Sequence, residues 1–138
     1  MPVEKIVMIV AGGSGKRMNS DIHKQFLPLN GVPVLMHTMD KFFRYDQGIR
    51  IILVLPEDQT ASWQRLCKNH QFSIVHEIRS GGETRFHSVK KNLDLVPDNA
   101  LLAIHDGVRP LVSQETIDRC FKKENILIAL ILVLSSVL

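Results

Sequence analysis

Glycines and basic side chains crowd together near the start of the chain, in the segment AGGSGKRM. Gly12, Gly13 and Gly15 let the backbone turn tightly and present its N–H groups to a ligand. Lys16 and Arg17 follow at once, and cations beside exposed amides neutralise phosphate. This segment predicts a phosphate-binding loop. An ordinary turn before a solvated basic stretch is the alternative.

Two familiar phosphate loops do not fit these residues. A P-loop needs a glycine where Val10 stands and a serine or threonine where Arg17 stands. A dinucleotide-binding fingerprint needs a glycine in place of Met18 and an acidic residue about 20 positions further on. The segment therefore points to another type of phosphate loop.

A second glycine-rich segment, SGGETRFHSV, leads into a predicted helix from about Glu83 to Leu93. Gly82 frees backbone groups to meet the edge of a base, and the helix N-terminus adds unpaired N–H groups. Arg85 and Ser88 are three residues apart, so they share one helical face and can point into the same cleft. A plain loop with a solvated arginine is the alternative here.

Asp106 ends a hydrophobic run in the segment AIHDGVRP. A carboxylate there is costly if it enters the core unpaired, so it must cap a turn or hold a cation. Beside phosphates it is a natural ligand for Mg²⁺, which keeps several waters and takes few protein ligands. Arg109 could equally pair with Asp106 as a purely structural bridge.

The strands that must position these segments are indicated by short β-branched apolar runs. Ile6 to Val10, Ile49 to Leu55 and Leu101 to His105 predict buried strands, and Phe72 to Val75 predicts a further short one. Predicted helices alternate with these strands, which favours right-handed βαβ units. We therefore expect an α/β fold: an open, mostly parallel, Rossmann-like sheet with helices on both faces.

Two of the predicted helices have recognisable start signals. Pro33 marks a helix whose core face includes Met39 and Phe42, and Ser113 can cap a last helix that runs through Phe121. In open parallel sheets, ligands bind beyond the carboxyl ends of the strands, near the point where strand order reverses. The three segments described above all follow predicted strands, so we expect them to meet there.

The composition fits one domain with its own core, since 45% of the 138 residues are hydrophobic. The net charge is +3, but Lys and Arg are scattered among 14 acidic residues and aromatics are few. A nucleic-acid partner is therefore not indicated. The apolar run at 126–133 is too short for a membrane span, which needs about 20 residues. The charge suits a small anionic substrate.

Cys67 and Cys120 lack the spacing of metal ligands, so we expect buried thiols in a reducing compartment and no disulfide. The first apolar run stops at the glycines, which leaves no signal core, so we expect a cytoplasmic protein. Zinc is not expected, because the six histidines do not pair at suitable spacings. Ser14 has no evident general base, which favours direct phosphoryl-type transfer over a covalent intermediate.

The first segment and its continuation HKQFLPLNGVPVLMHT resemble the sugar-phosphate nucleotidyltransferases. Their signature is Ala-Gly-Gly-x-Gly-x-Arg-Met, then a Lys, then a Gly-x-Pro-hydrophobic helix start. The Lys24–Gln25 pair is most similar to the cytidylyltransferases for 2-C-methyl-D-erythritol 4-phosphate in the non-mevalonate isoprenoid pathway. The resemblance implies a homodimer that joins CTP to this polyol phosphate, releases pyrophosphate and uses Mg²⁺ or another divalent cation.

The resemblance also implies roles for individual residues. Arg17 and Lys24 match the catalytic cations that stabilise the transition state. The residues implied in nucleotide binding are Ala11, Gly12, Gly13, Ser14, Gly15, Lys16, Gly82, Glu83, Arg85 and Ser88. Within this set Gly82 and Ser88 match the cytosine contacts. Glu83 matches a ribose contact, although family members more often carry Asp there.

His-Asp-x-x-Arg-Pro is the family's second signature. By this resemblance Asp106 is both the metal-site acid and a substrate-binding residue, and Arg109 lines the sugar-phosphate pocket. Family members often have Ala where Gly107 stands. The departure is small, because this position is used through its backbone.

The resemblance covers about Val3 to Lys122. We expect residues 1–123 to form the nucleotide-binding domain and residues 124–138 to be an atypical apolar tail from a frameshift or truncation. Family enzymes continue further, so further substrate residues and the arm that completes the neighbouring subunit's site would be absent. A ribitol 5-phosphate cytidylyltransferase and an inactive CTP-binding fragment therefore stay open as alternatives.

Overall fold

A parallel sheet forms the centre of the computed structural model, which describes residues 3–11 and 23–122. Its strands are β1 (Lys5–Val10), β4 (Arg50–Leu55), β5 (Glu77–Ser80) and β6 (Leu101–Asp106), in the order β5-β4-β1-β6. A short antiparallel ribbon is formed by β2 (Pro28–Leu29) and β3 (Val32–Pro33). The helices are α1 (Val34–Tyr45), α2 (Thr60–Asn69), α3 (Arg85–Asn92) and α4 (Gln114–Lys122). The expected open α/β fold is confirmed.

The central strand β1 determines where the loops emerge. Val10 lies opposite Val54 of β4 on one side and Asp106 of β6 on the other, and both pairings are parallel. The chain runs outward from β1 to β4 and β5, then returns to the far side of β1 as β6. Strand order therefore reverses between β1 and β6, which is where such sheets bind ligands.

Both faces of β1 are buried, as its unbroken apolar run predicts. Val7 and Ile9 belong to a large core that also contains Met39 and Phe42 of α1 and Ile117 of α4. The alternate residues Ile6, Met8 and Val10 face the other way and pack in a smaller core that includes Val89 of α3. Helices therefore cover the sheet on both sides.

The strand predicted at Phe72 to Val75 is wrong, because the strand lies at β5 instead. β5 begins where Glu77 comes opposite Ile52 of β4, so the preceding residues have no place in the ladder. His76 joins this preceding segment to α2 instead, since its Nε2 accepts a hydrogen bond from the indole N–H of Trp63 at 3.0 Å. Phe72 and Ile74 pack against the core without strand pairing, and Val75 is exposed.

Helix starts follow the capping residues. α3 begins two residues later than predicted, because the Thr84 hydroxyl accepts a hydrogen bond from the His87 N–H at 3.2 Å and caps the helix. The Ser113 cap of α4 is confirmed: its hydroxyl accepts from the Thr116 N–H at 3.0 Å. None of the described helices is long and apolar enough to cross a membrane.

Thr38 joins α1 to the loop after β6. It is fully buried, and its hydroxyl donates a hydrogen bond to the Gly107 carbonyl at 2.7 Å. Thr38→Val keeps the shape but leaves that carbonyl without this donor, so we expect the free energy of unfolding to fall by about 1–3 kcal/mol. Urea unfolding measures the change, with Thr38→Ser as the control that keeps the hydroxyl. Wild-type stability in Thr38→Val would contradict this role.

Candidate active site

A cavity of about 360 Å³ opens at the carboxyl edge of the sheet, beside the ends of β1 and β6. Its size is in the range of small-molecule sites. Four separate stretches of the chain contribute to its lining, which is Val10, Ala11, Lys24, Gln25, Gly82, Glu83, Thr84, Arg85, Ser88, Asp106 and Val108. Residues predicted from three segments therefore meet around one space. Gly12, Gly13, Ser14, Gly15, Lys16 and Arg17 lie outside the described residues.

Backbone hydrogen bonds fix the point at which each segment leaves the sheet. In each case, the first residue after a strand donates its N–H to a carbonyl of the neighbouring strand. The three pairs are Ala11 to Val54 at 2.9 Å, Gly81 to Leu55 at 2.8 Å and Gly107 to Val10 at 3.0 Å. The cavity is therefore built from loop starts whose positions are set by the sheet itself.

The Asp106 carboxylate both caps a turn and faces cations. Its Oδ1 accepts a hydrogen bond from the Val108 N–H at 3.1 Å. Its Oδ2 lies 3.6 Å from Nη1 of Arg85 and 4.0 Å from Nε of Arg109. Because the side chain is 25% exposed, solvent screens these charges, and the pairs orient the groups more than they stabilise the fold.

Arg85 connects two of the segments that line the cavity. It is the first residue of α3, and its guanidinium reaches across to Asp106 at the end of β6. The sequence indicated Arg85 as a cleft residue but gave no sign of this partner, because only the parallel topology brings the two positions together. The Arg109 bridge, which the sequence left open, is present at the longer distance.

Gly82 and Ser88 form a closely packed corner of the cavity. The Gly82 N–H donates to Ser88 Oγ at 3.0 Å, and Ser88 is 2% exposed. A Cβ on Gly82 would lie only 2.6 Å from Cβ of His87, so glycine is required for this approach. Asn92 holds the corner, since its amide donates to the carbonyls of Ser88 at 2.8 Å and Ser80 at 3.2 Å. Nothing in the sequence indicated that Asn92 supports this site.

The three-residue turn Lys24–Phe26 divides its side chains between the core and the cavity. Phe26 is buried and stacks on Trp63 with ring centroids 5.9 Å apart. Gln25 is 1% exposed and donates to the Ala11 carbonyl at 3.1 Å. Lys24 is exposed and lines the cavity that also contains Asp106.

Arg109 contributes to a neighbouring cavity of about 470 Å³ rather than to the one that contains Lys24. The second cavity also contains His105, Ser113 and Thr116. Asp106 lies between the two spaces, because its Oδ2 is the contact of both Arg85 and Arg109.

The donor set can be tested against the divalent cation that the sequence predicts. Within residues 3–11 and 23–122, no group of three or more His, Cys, Asp or Glu side chains could hold a metal ion. A single carboxylate such as Asp106 suits Mg²⁺, which takes one or two carboxylates, phosphate oxygens and water. The residues therefore fit a cation held mainly by its phosphate ligand.

The strand order and the cavity at the switch point define an open-sheet, Rossmann-like α/β protein. A family model described as IspD, 2-C-methyl-D-erythritol 4-phosphate cytidylyltransferase, matches residues 5–136. The chain belongs to this family. The match extends past Lys122, the end of the motif resemblance.

Individual relatives agree with this assignment. The 2-C-methyl-D-erythritol 4-phosphate cytidylyltransferase of Bacteroides thetaiotaomicron is 54% identical over 120 residues, which are 87% of this chain and 55% of that protein. The chain thus spans about half the length of this curated relative.

Solved structures agree on the fold. The 4-diphosphocytidyl-2C-methyl-D-erythritol synthase of Anaerococcus prevotii has a TM-score of 0.69 and 26% identity, over 87% of this chain and 50% of that one. Rv0371c of Mycobacterium tuberculosis, solved as a manganese complex, has a TM-score of 0.64 over 87% of this chain and 59% of that one. At 18% identity, this second likeness concerns the fold alone.

His105 is a buried titratable side chain next to Asp106. It is 2% exposed, packs against Phe42, and its Nε2–H donates to the Arg109 carbonyl at 2.9 Å. Burial is the main cause that lowers the pKa of His105 below its usual value, against the opposing effect of this hydrogen bond. The folded protein therefore favours the neutral imidazole.

Because the unfolded chain takes up this proton below about pH 6.5 and the folded chain resists it, acid favours unfolding. We expect the contribution of the neutral His105 to the free energy of unfolding to be fully present above that pH. Below it, the free energy of unfolding of the wild type should fall relative to that of His105→Gln, by up to about 1.4 kcal/mol per pH unit as the pH drops toward the folded pKa. Urea unfolding at several pH values measures this, with the exposed His70→Gln as control. A constant difference between wild type and His105→Gln at all pH values would contradict it.

Proposed function

We propose that this chain catalyses cytidylyl transfer from CTP to 2-C-methyl-D-erythritol 4-phosphate, giving 4-diphosphocytidyl-2-C-methylerythritol and pyrophosphate. The observation that carries the proposal is the shared cavity: Lys24, Arg85 and Asp106 line the same space as the Gly82–Ser88 corner, in a member of the IspD family. Because the chain spans about half of its curated relative, the activity of the whole protein is proposed here and not assumed.

In this proposal, the cytosine binds at the corner formed by Gly82 and Ser88. The Ser88 hydroxyl accepts from the Gly82 amide and keeps its own hydrogen, which can donate to an acceptor on the base. Glu83 lines the same cavity, and its carboxylate could accept from ribose hydroxyls. The triphosphate would extend toward Lys24, and the glycine-rich segment AGGSGKRM stays its predicted phosphate loop.

The reaction needs no protein nucleophile. A phosphate oxygen of the acceptor, already an anion, attacks the α-phosphorus of CTP and forms the new P–O bond. The bond from the α-phosphorus to the bridging oxygen breaks, and pyrophosphate leaves with the electron pair. Lys24 and Arg17 would neutralise the charge that accumulates on the α-phosphate oxygens, which is the largest catalytic contribution in such sites.

Asp106 would hold a divalent cation, and Mg²⁺ suits its single carboxylate best. When bound, the cation would screen the negative charge of the triphosphate. Arg85 then keeps the Asp106 carboxylate directed at the cavity, from 3.6 Å away. Arg109, which lines the adjoining cavity, would bind the phosphate of the acceptor.

We also propose a cytoplasmic location, in keeping with the reduced thiols that the sequence predicts at Cys67 and Cys120. The homodimer implied by the family resemblance stays a prediction.

Pyrophosphate release tests the function directly. The chain is offered CTP and Mg²⁺ with 2-C-methyl-D-erythritol 4-phosphate, with ribitol 5-phosphate, or without an acceptor, and we expect release with the first alone. Faster release with ribitol 5-phosphate would reassign the acceptor. CTP binding without any release would reduce the function to nucleotide binding.

Lys24→Ala separates catalysis from binding. We expect turnover to fall by about 10² to 10³, because a transition-state contact is lost, while CTP affinity changes far less. Lys68→Ala, an exposed lysine of α2, is the matched control. Initial rates and isothermal titration with CTP measure the two effects, and equal losses in both would make Lys24 a simple ligand.

A further inference from the structure

Two buried glutamines beside the cavity form a series of hydrogen bonds. Gln25 and Gln59 are 1% and 3% exposed, which is rare for carboxamides unless they are bonded to each other or to the backbone. Nε2 of Gln25 donates to the Ala11 carbonyl at 3.1 Å and to Oε1 of Gln59. Nε2 of Gln59 in turn donates to Nδ1 of His23 at 3.1 Å.

The Ala11 carbonyl fixes which group donates in each of these hydrogen bonds. The Ala11 carbonyl accepts only, so Gln25 must direct its NH₂ group there, and the two hydrogens of that group serve Ala11 and Gln59. Gln59 must then present its oxygen to Gln25 and its NH₂ to His23. Rotating the Gln59 amide would set two NH₂ groups against each other, which is costly in a buried site.

Gln59 thereby holds both sequence neighbours of Lys24. His23 precedes the lysine and Gln25 follows it, and each is hydrogen-bonded to the same carboxamide. Gln59 itself lies in the segment after β4, directly before α2, so its position is set by the sheet. Gln59 therefore restrains the backbone on both sides of Lys24. Of its two partners, Gln25 lines the cavity.

We propose that Gln59 is a positioning residue for Lys24 and acts through Gln25 and His23. The inference rests on the proposed function for its catalytic consequence, but its structural content is independent of catalysis. Gln59 keeps the turn Lys24–Phe26 in the orientation that directs the ammonium group into the cavity. No family motif quoted above includes this residue, because its place in the sequence, in the polar segment PEDQT, indicates only an exposed loop.

The catalytic consequence is tested with Gln59→Met, which keeps the volume of the side chain and removes its hydrogen bonds. We expect turnover to fall by about 10-fold to 100-fold, as for a catalytic group misplaced by a fraction of an ångström, while CTP affinity changes much less. Gln64→Met, on the exposed face of α2, is the matched control and should behave as wild type.

A double-mutant cycle tests whether the effect passes through Gln25. In the Gln25→Met background, Gln59→Met should cost much less turnover than it does alone, because the connection is already broken. Fully additive losses would overturn the proposal, since a general loss of stability would give that result. Gln59→Asn, which is one methylene too short to reach both partners, serves if Gln59→Met does not fold.

A second measurement does not depend on activity. The Phe26 N–H donates to the His23 carbonyl at 2.9 Å, so its hydrogen exchange reports on the turn that carries Lys24. We expect the folded Gln59→Met protein to exchange this amide at least about tenfold faster, while amides of β1 keep their wild-type rates. An unchanged rate at Phe26 would overturn the inference. If wild type releases no pyrophosphate but the exchange result holds, the proposed function fails and the positioning of Lys24 stands.

Discussion

The backbone pairing of Val10 with its neighbours on both sides is the constraint on which the site depends. Val10 lies opposite Val54 and Asp106 in parallel register, and its carbonyl accepts the N–H of Gly107 at 3.0 Å. Because β1 is buried on both faces, a one-residue shift of register would exchange its two sets of apolar side chains between the two cores and disrupt the packing of both. The positions of the loops at this edge are therefore set by the packing of the buried central strand.

Charges of both signs line the cavity. Asp106 faces Arg85 and Arg109, and Lys24 lines the same space as Asp106 and Arg85. Such an arrangement can exchange a protein ion pair for contacts with a phosphate or a divalent cation at little cost, because partly exposed pairs are weak. The buried carboxamides of Gln25 and Gln59 carry no charge. Their hydrogen bonds orient the turn that carries Lys24 and do not attract the ligand.

Much of this fold could be predicted, because buried parallel strands leave unbroken β-branched runs such as Ile6 to Val10, and a serine such as Ser113 signals a helix cap. Strand β5 lies beyond the predicted Phe72 to Val75, because apolar residues such as Phe72 and Ile74 can pack on the core without strand pairing. The convergence of Ala11, Ser88 and Asp106 follows from the rule for parallel sheets, whereas Lys24 was indicated by the family resemblance. Gln59 could not be predicted, since its partners Gln25 and His23 are distant in sequence and a polar residue in a loop gives no sign of burial. Asn92 ends α3, where a polar residue gives no sign of burial either. The roles assigned to Gly12 through Arg17 stay predictions.

The central claim is that segments from three parts of the chain form one nucleotide site at the end of β1. An NMR titration of the ¹⁵N-labelled chain with CTP and Mg²⁺ tests it most directly, since backbone amides report from each segment separately. The account predicts that the amides of Ala11, Gly82 and Val108 shift together and follow a single dissociation constant. Shifts confined to one segment, or centred on the cavity around Arg109 and Thr116 while Gly82 stays unchanged, would contradict it.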